Sequence, residues 1–163
     1  MNEKGFSLIE LLIVVVVVGV IAAIAVPGFL SARRSANEAA ALSTLRMLST
    51  TQETYGTTAG IGNFATLAEL HTEGLIDVVI ASGQKGGYSY SVTKADATTT
   101  SPAVFNVFAN ALTFGSTAAA TGTRNYYTNE AGVIYENQAG QNNPPNAASF
   151  TDRTVTNGTP LNR

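Results

Sequence analysis

From Phe6 to Leu30 the only polar side chains are Ser7 and Glu10, and Leu11 to Val26 is an uninterrupted apolar run containing a single glycine, Gly19. As a helix such a stretch is about 37 Å long, enough to cross a hydrocarbon core of roughly 30 Å with some tilt. Beyond Pro27 the pattern changes. Leu42, Leu45, Leu48, Gln52 and Tyr55 follow one another at steps of three and four, with Ala36, Ala39 and Ala40 before them. This spacing predicts an amphipathic continuation of the helix to about Tyr55, its stripe laid against a sheet. Pro27 lacks the N–H that would bond the Ala23 carbonyl, so a kink or a loosened turn is expected there.

Thr66 with Glu69 three residues on forms a capping box, Leu67 and Leu70 face inward, and Gly74 supplies a stop, which predicts a short helix over Thr66 to Glu73. His71 lies inside it without a second His or a Cys nearby, so it reads as a surface residue and not as a ligand or base. After Lys85-Gly86-Gly87 the alternation becomes that of strands, at Tyr88–Thr93, Val104–Ala109, Asn125–Thr128 and Val133–Tyr135. Asn129-Glu130-Ala131-Gly132 is a hairpin loop between the last two. Strand alternation divides Tyr88, Tyr90, Tyr126, Tyr127 and Tyr135 between core and sheet surface. The expected fold is α+β: a long N-terminal helix, half transmembrane, packed on a small antiparallel sheet of about four strands. Residues 137–163, with Asn142-Asn143-Pro144-Pro145 and no periodicity, read as an extended polar segment. Asn157-Gly158-Thr159 within it is an N-x-T sequon.

The chain has 163 residues and a net charge of −2. This is about one domain, and it lacks the basic field that condenses on phosphate backbones, so constitutive nucleic-acid binding is not expected. The absence of cysteine excludes disulfides, thiolate metal sites and a Cys nucleophile. No Ser-His-Asp arrangement, phosphate loop or metal-ligand spacing is legible, so neither catalysis nor a cofactor is expected.

Three readings compete for the N-terminal stretch: a permanent membrane anchor, a conventional signal peptide cut after Ala25 at Ala23-Ile24-Ala25, and a segment clipped near Gly5. Against the signal peptide, Lys4 is offset by Glu3, and Glu10 sits where the apolar region should begin. A carboxylate held in lipid costs about 2.5 to 3.5 kcal/mol, although one so near the end of a span can reach back to the interface. Gly5 is small enough for a protease to approach the backbone closely. Cleavage after it creates an amine on Phe6, four residues before Glu10 on the same helix face. Pairing Glu10 with such an amine on a neighbouring copy neutralises two charges and fixes register. Arg33 and Arg34 follow the span while only Lys4 precedes it, an asymmetry opposed to the positive-inside rule for a cytoplasmic N-terminus.

The string Lys4-Gly5-Phe6-Ser7-Leu8-Ile9-Glu10-Leu11-Leu12-Ile13 closely resembles the processing site of the type IV prepilin family. The resemblance implies a leader of residues 1–5 removed by prepilin peptidase between Gly5 and Phe6, N-methylation of Phe6, and a role for Glu10 in filament assembly. It also implies flexibility of the helix between Gly19 and Pro27, a membrane and filament-core helix over 6–30, and a globular pilin domain over 31–136. The implied partners are other copies of the subunit, the peptidase and methylase, and an inner-membrane platform with its ATPase. The precursor is expected in the inner membrane and the product in an extracellular pilus serving adhesion, motility or DNA uptake. A type II secretion pseudopilin shares the same pattern; there Asp77, Asp96, Glu130 and Glu136 would be the acidic residues available for calcium, though no calcium-loop signature is present. A secreted binding domain starting at Val26 is the alternative from another class.

Overall fold

The computed structural model describes residues 5–138, 145–147 and 150–161. The chain divides into two units, Met1–Arg33 and Arg34–Arg163. Helix α1, Leu8–Thr57, is one 50-residue element that remains helical through Pro27. In the first unit every side chain of α1 from Leu8 to Phe29 is exposed, an apolar surface left uncovered by the described residues.

In the second unit α1 buries Ala41, Thr44, Leu45, Leu48, Thr51 and Gln52, a stripe at steps of three and four. Leu42 and Tyr55 are half-buried against this core, whereas Ala36, Ala39 and Ala40 are exposed. The core-facing side of the helix instead becomes polar toward its start. Arg34 Nη1 donates to the carbonyls of Ser116 and Thr117, Asn37 Nδ2 to that of Thr121, and Glu38 Oε1 accepts from the backbone N–H and hydroxyl of Thr123. Three residues spaced i, i+3 and i+4 therefore strap the irregular segment 112–124 to the helix by its backbone. Hydrophobic periodicity misses this contact because the helix supplies polar groups to it.

Helix α2, Leu67–Thr72, is a little shorter than expected and carries the full capping box. Thr66 Oγ1 accepts from the Glu69 N–H, and Glu69 Oε2 accepts from the Thr66 N–H at 2.7 Å. Gly74, at φ 71°, ends it in the left-handed conformation. A further one-turn helix, α3, Val78–Ala81, is capped by Asp77, whose Oδ1 accepts from the Ile80 N–H.

The sheet is antiparallel and runs β1-β2-β3-β4-β5-β8: β1 Gln84–Lys85, β2 Tyr88–Ala95, β3 Val104–Ala111, β4 Asn125–Asn129, β5 Tyr135–Asn137 and β8 Thr159–Pro160. Four of these strands were expected; the two extra ones are two-residue edges, too short to give a pattern of their own. β1 pairs with the start of β2 across Gly86 and Gly87, both at positive φ. The last expected strand begins two residues late, because Val133 and Ile134 stay in the turn, where Thr128 Oγ1 donates to the Val133 carbonyl. Tyr127 then faces Tyr135 in register.

Part of the segment expected as an extended polar tail returns to the domain. Thr159–Pro160 completes the sheet edge beside β5, and β6, Asn146–Ala147, pairs with β7, Val155–Thr156. Asn142, Asn143 and Pro144, named above, lie outside the described residues, as do Met1 to Lys4. Phe105 and Val107, and also Asn106 on the opposite face of β3, are buried. On β4, Tyr126 joins the helix-side core while Tyr127 is fully buried and donates to Asn106 Oδ1 at 2.7 Å. A side chain added at Gly158 would strike Pro145 and Tyr135, so the returning segment is closely packed where it crosses β5.

Candidate processing and assembly site

Ser7 immediately precedes α1 and its carbonyl accepts from the N–H groups of Glu10 and Leu11 at 3.1 and 3.3 Å. Glu10 is thus the third helical residue. Its carboxylate turns back toward the helix start, where Oε2 accepts the Ser7 N–H at 2.9 Å. One of the four orphan donors of the helix N-terminus is satisfied in this way, and the negative charge lies at the positive end of the helix dipole. The Ser7-x-x-Glu10 spacing carries this signal in the sequence, as Thr66-x-x-Glu69 does for α2.

Gly5 and Phe6 precede the helix in backbone without regular secondary structure, and a Cβ added at Gly5 would meet nothing within 4 Å. The glycine is therefore not required by packing in the isolated chain. Phe6 is 84% exposed. Its peptide nitrogen, the atom that cleavage would convert to an amine, lies one residue before the N–H that Glu10 already holds. A cut between Gly5 and Phe6 would set a cation beside a carboxylate that is already oriented toward the helix start. Gly19 and Pro27 stand on the exposed apolar helix, and no atom lies within 4 Å of a Cβ built at Gly19.

Among the described residues α1 is long and apolar enough to cross a membrane, and its most apolar window is wholly unburied. This distinguishes it from the core helix of a globular domain, which satisfies its apolar surface internally.

The acidic residues considered for calcium do not converge. Asp77 caps α3, Asp96 Oδ1 accepts from Lys94 at 3.0 Å, Glu136 pairs with Arg124 at 2.9 Å, and Glu130 pairs with Arg153 at 2.6 Å. Among the described residues no group of three or more His, Asp or Glu side chains is arranged to hold a metal ion. His71 is exposed and its Nδ1 lies 3.1 Å from the Ile76 carbonyl, a tie across the α2–α3 turn. The tyrosine hydroxyls are structural as well: Tyr88 donates to the Arg124 carbonyl, and burial raises the phenols of Tyr88 and Tyr126 far above their ordinary range.

The family described as the prokaryotic N-terminal methylation motif matches residues 1–26. The type IV wide pilus major component PilA4 of Thermus thermophilus is 51% identical over 37 residues, 23% of this chain and 28% of that protein. The type IV major pilin protein PilA of Myxococcus xanthus is 40% identical over 54 residues, 33% of this chain and 24% of that protein. The type IV narrow pilus major component PilA5 of Thermus thermophilus is 54% identical over 39 residues, 24% of this chain and 34% of that protein. The chain thus spans between about a quarter and a third of the length of the curated relatives it matches. No solved structure matches it significantly. The chain carries the prokaryotic N-terminal methylation motif and resembles the major pilins of type IV pili.

Proposed function

We propose that this chain is a structural subunit of a type IV pilus, made as an inner-membrane precursor and polymerised with copies of itself into an extracellular filament. The observation that carries the reading is the wholly exposed apolar half of α1, headed by the Gly5-Phe6 junction and by Glu10 at the helix start. Burial of apolar surface is worth about 25 cal/mol per Å². A helix of this length without internal packing therefore requires lipid before assembly and neighbouring helices after it.

In this reading prepilin peptidase cuts between Gly5 and Phe6, and a methylase modifies the Phe6 amine. Glu10 exchanges its contact with its own helix start for the amine of an adjacent copy. The exchange moves a carboxylate between two donor sets without leaving it unpaired, which lowers the cost of carrying the charge into an apolar bundle. Gly19 and Pro27 supply the low-propensity positions at which the helix can lengthen as neighbours pack. An inner-membrane platform with its ATPase drives insertion of subunits, and the role is structural, not catalytic.

Intact mass and N-terminal sequencing of protein from cell envelopes and from sheared surface fibres test the reading. A chain beginning at methylated Phe6 and recovered in the fibres is the expected result. A mature chain confined to the envelope points to a secretion pseudopilin, and one beginning at Val26 overturns the filament role.

A further inference from the structure

Two features of the second unit are complementary to each other, and neither is satisfied within the described chain. The first is a groove of about 280 Å³ between α1 and the β4–β5 turn, walled by Leu45, Arg46 and Ser49 on one side and by Thr128, Gly132 and Ile134 on the other. Arg46 is exposed at its rim and forms no ion pair with any described residue. The second is the α2–α3 corner. Val78 and Val79 are 65% and 49% exposed there, although the next residue, Ile80, is buried in the core. Asp77 immediately precedes these valines and Glu73 lies four residues before it at the end of α2, both exposed and neither in an ion pair with a described residue.

The topology sets these features at different edges. α3 leads through Ser82 and Gly83 directly into the edge strand β1, with the Ile80 carbonyl bonded to the Gly83 N–H and the Gly83 carbonyl to the Tyr90 N–H. The groove is lined from β4 and the turn leading into β5, three and more strands away from β1 in the sheet order. An anionic apolar knob at one edge and a cationic groove toward the other cannot meet within one copy. They can meet between successive copies. A contact of this kind is heterologous, and heterologous contacts propagate into rings or open helical arrays.

We propose that the α2–α3 corner of one copy, led by Val78 and Val79, docks into the Arg46 groove of the next copy. The inference rests on the polymerisation proposed above and names the surface through which the globular units touch. The valines supply the apolar area. The attraction of Arg46 for Glu73 and Asp77 selects the orientation and opposes the reverse pairing, in which like charges would meet.

The chain has no cysteine, so disulfide trapping reports this contact directly. Ser49→Cys combined with Val79→Cys, and independently Thr50→Cys combined with Val78→Cys, are expressed in filament-forming cells, and sheared fibres are oxidised and run without reductant. The expected result is a ladder of covalent multimers from either pair and monomer from each single variant. Fibres that form normally but give no ladder with either pair overturn the contact and leave the filament reading standing. Failure of the unaltered chain to appear in fibres at all overturns both.

Discussion

Glu10 Oε2 accepts a hydrogen bond from the backbone N–H of Ser7 at 2.9 Å. The only acidic side chain in the apolar half of α1 is therefore also the cap of that helix. Capping and charge pairing make different demands, because a glutamine at the third helical position can still serve the cap but cannot neutralise an amine. Glu10→Gln is expected to be processed at Gly5-Phe6 and still to assemble poorly, with filament yield reduced by about tenfold or more, the effect of losing 1.4 kcal/mol per subunit contact. Glu10→Ala should behave alike. Near-normal fibres from Glu10→Gln, counted by electron microscopy beside a processing assay, would reduce the role of this residue to capping.

Gln52 is fully buried, and both ends of its amide bond the backbone of Ala65: Nε2 donates to the carbonyl at 2.6 Å and Oε1 accepts the N–H at 2.8 Å. The side chain stands in for a strand partner and fastens the segment before α2 to the long helix. Gln52→Leu keeps the volume but orphans two buried backbone groups, each costing about 1–3 kcal/mol. Urea unfolding of the second unit, prepared within the whole chain in detergent, should show a loss of about 2–6 kcal/mol for the two groups together. Gln52→Glu should lose at least as much at neutral pH, since its carboxylate cannot donate to Ala65.

Particular residues show how far the sequence could be read. Leu45 and Leu48 fell into the core because period and hydropathy agreed, and Tyr88 to Thr93 alternated as a strand. Thr66 and Glu69 announced α2 through local chemistry that needs no tertiary partner. The strap of Arg34, Asn37 and Glu38 was illegible because its partners, backbone groups and the Thr123 hydroxyl, lie more than eighty residues away. β8 was illegible because two residues have no period, and its place is set by β5 and by the close contact of Gly158 with Pro145. At the N-terminus the Gly5-Phe6-Glu10 spacing was plain, yet the cap in Ser7-x-x-Glu10 was obscured by the apolar context that makes Glu10 conspicuous.

The Glu69 carboxyl is held below the usual carboxylate range, first by its bond from the Thr66 N–H, then by the Thr66 hydroxyl. A depressed native pKa means that this contribution is present above the unfolded value and disappears as pH falls through the lower folded value. Acidification from neutrality to below the ordinary carboxylate range should therefore weaken α2, and Thr66→Ala should lower stability at neutral pH by about 1 kcal/mol. The difference between unaltered chain and variant should shrink in acid. Denaturation series at several pH values check this, and a pH-independent difference would assign the loss to packing of the Thr66 methyl.

Arg153 joins the returning C-terminal segment to the turn after β4 and to the start of β3. Nε and Nη2 engage the two oxygens of Glu130 at 2.7 and 2.6 Å, and Nη2 also donates to the Phe105 carbonyl at 2.8 Å. Both side chains are partly shielded from water, and the fork geometry matches the carboxylate in a way that a lysine ammonium does not. Arg153→Lys should therefore recover little of what Arg153→Ala loses, about 1.5–3 kcal/mol for hydrogen bonds to a charged group. Because β8 holds the sheet edge beside β5, the loss should appear first as local opening. Amide hydrogen exchange is expected to rise in β8 and β5 before it rises in β2 or β3. Equal acceleration in all four strands would mean that this ion pair supports the whole domain and not the returning segment alone.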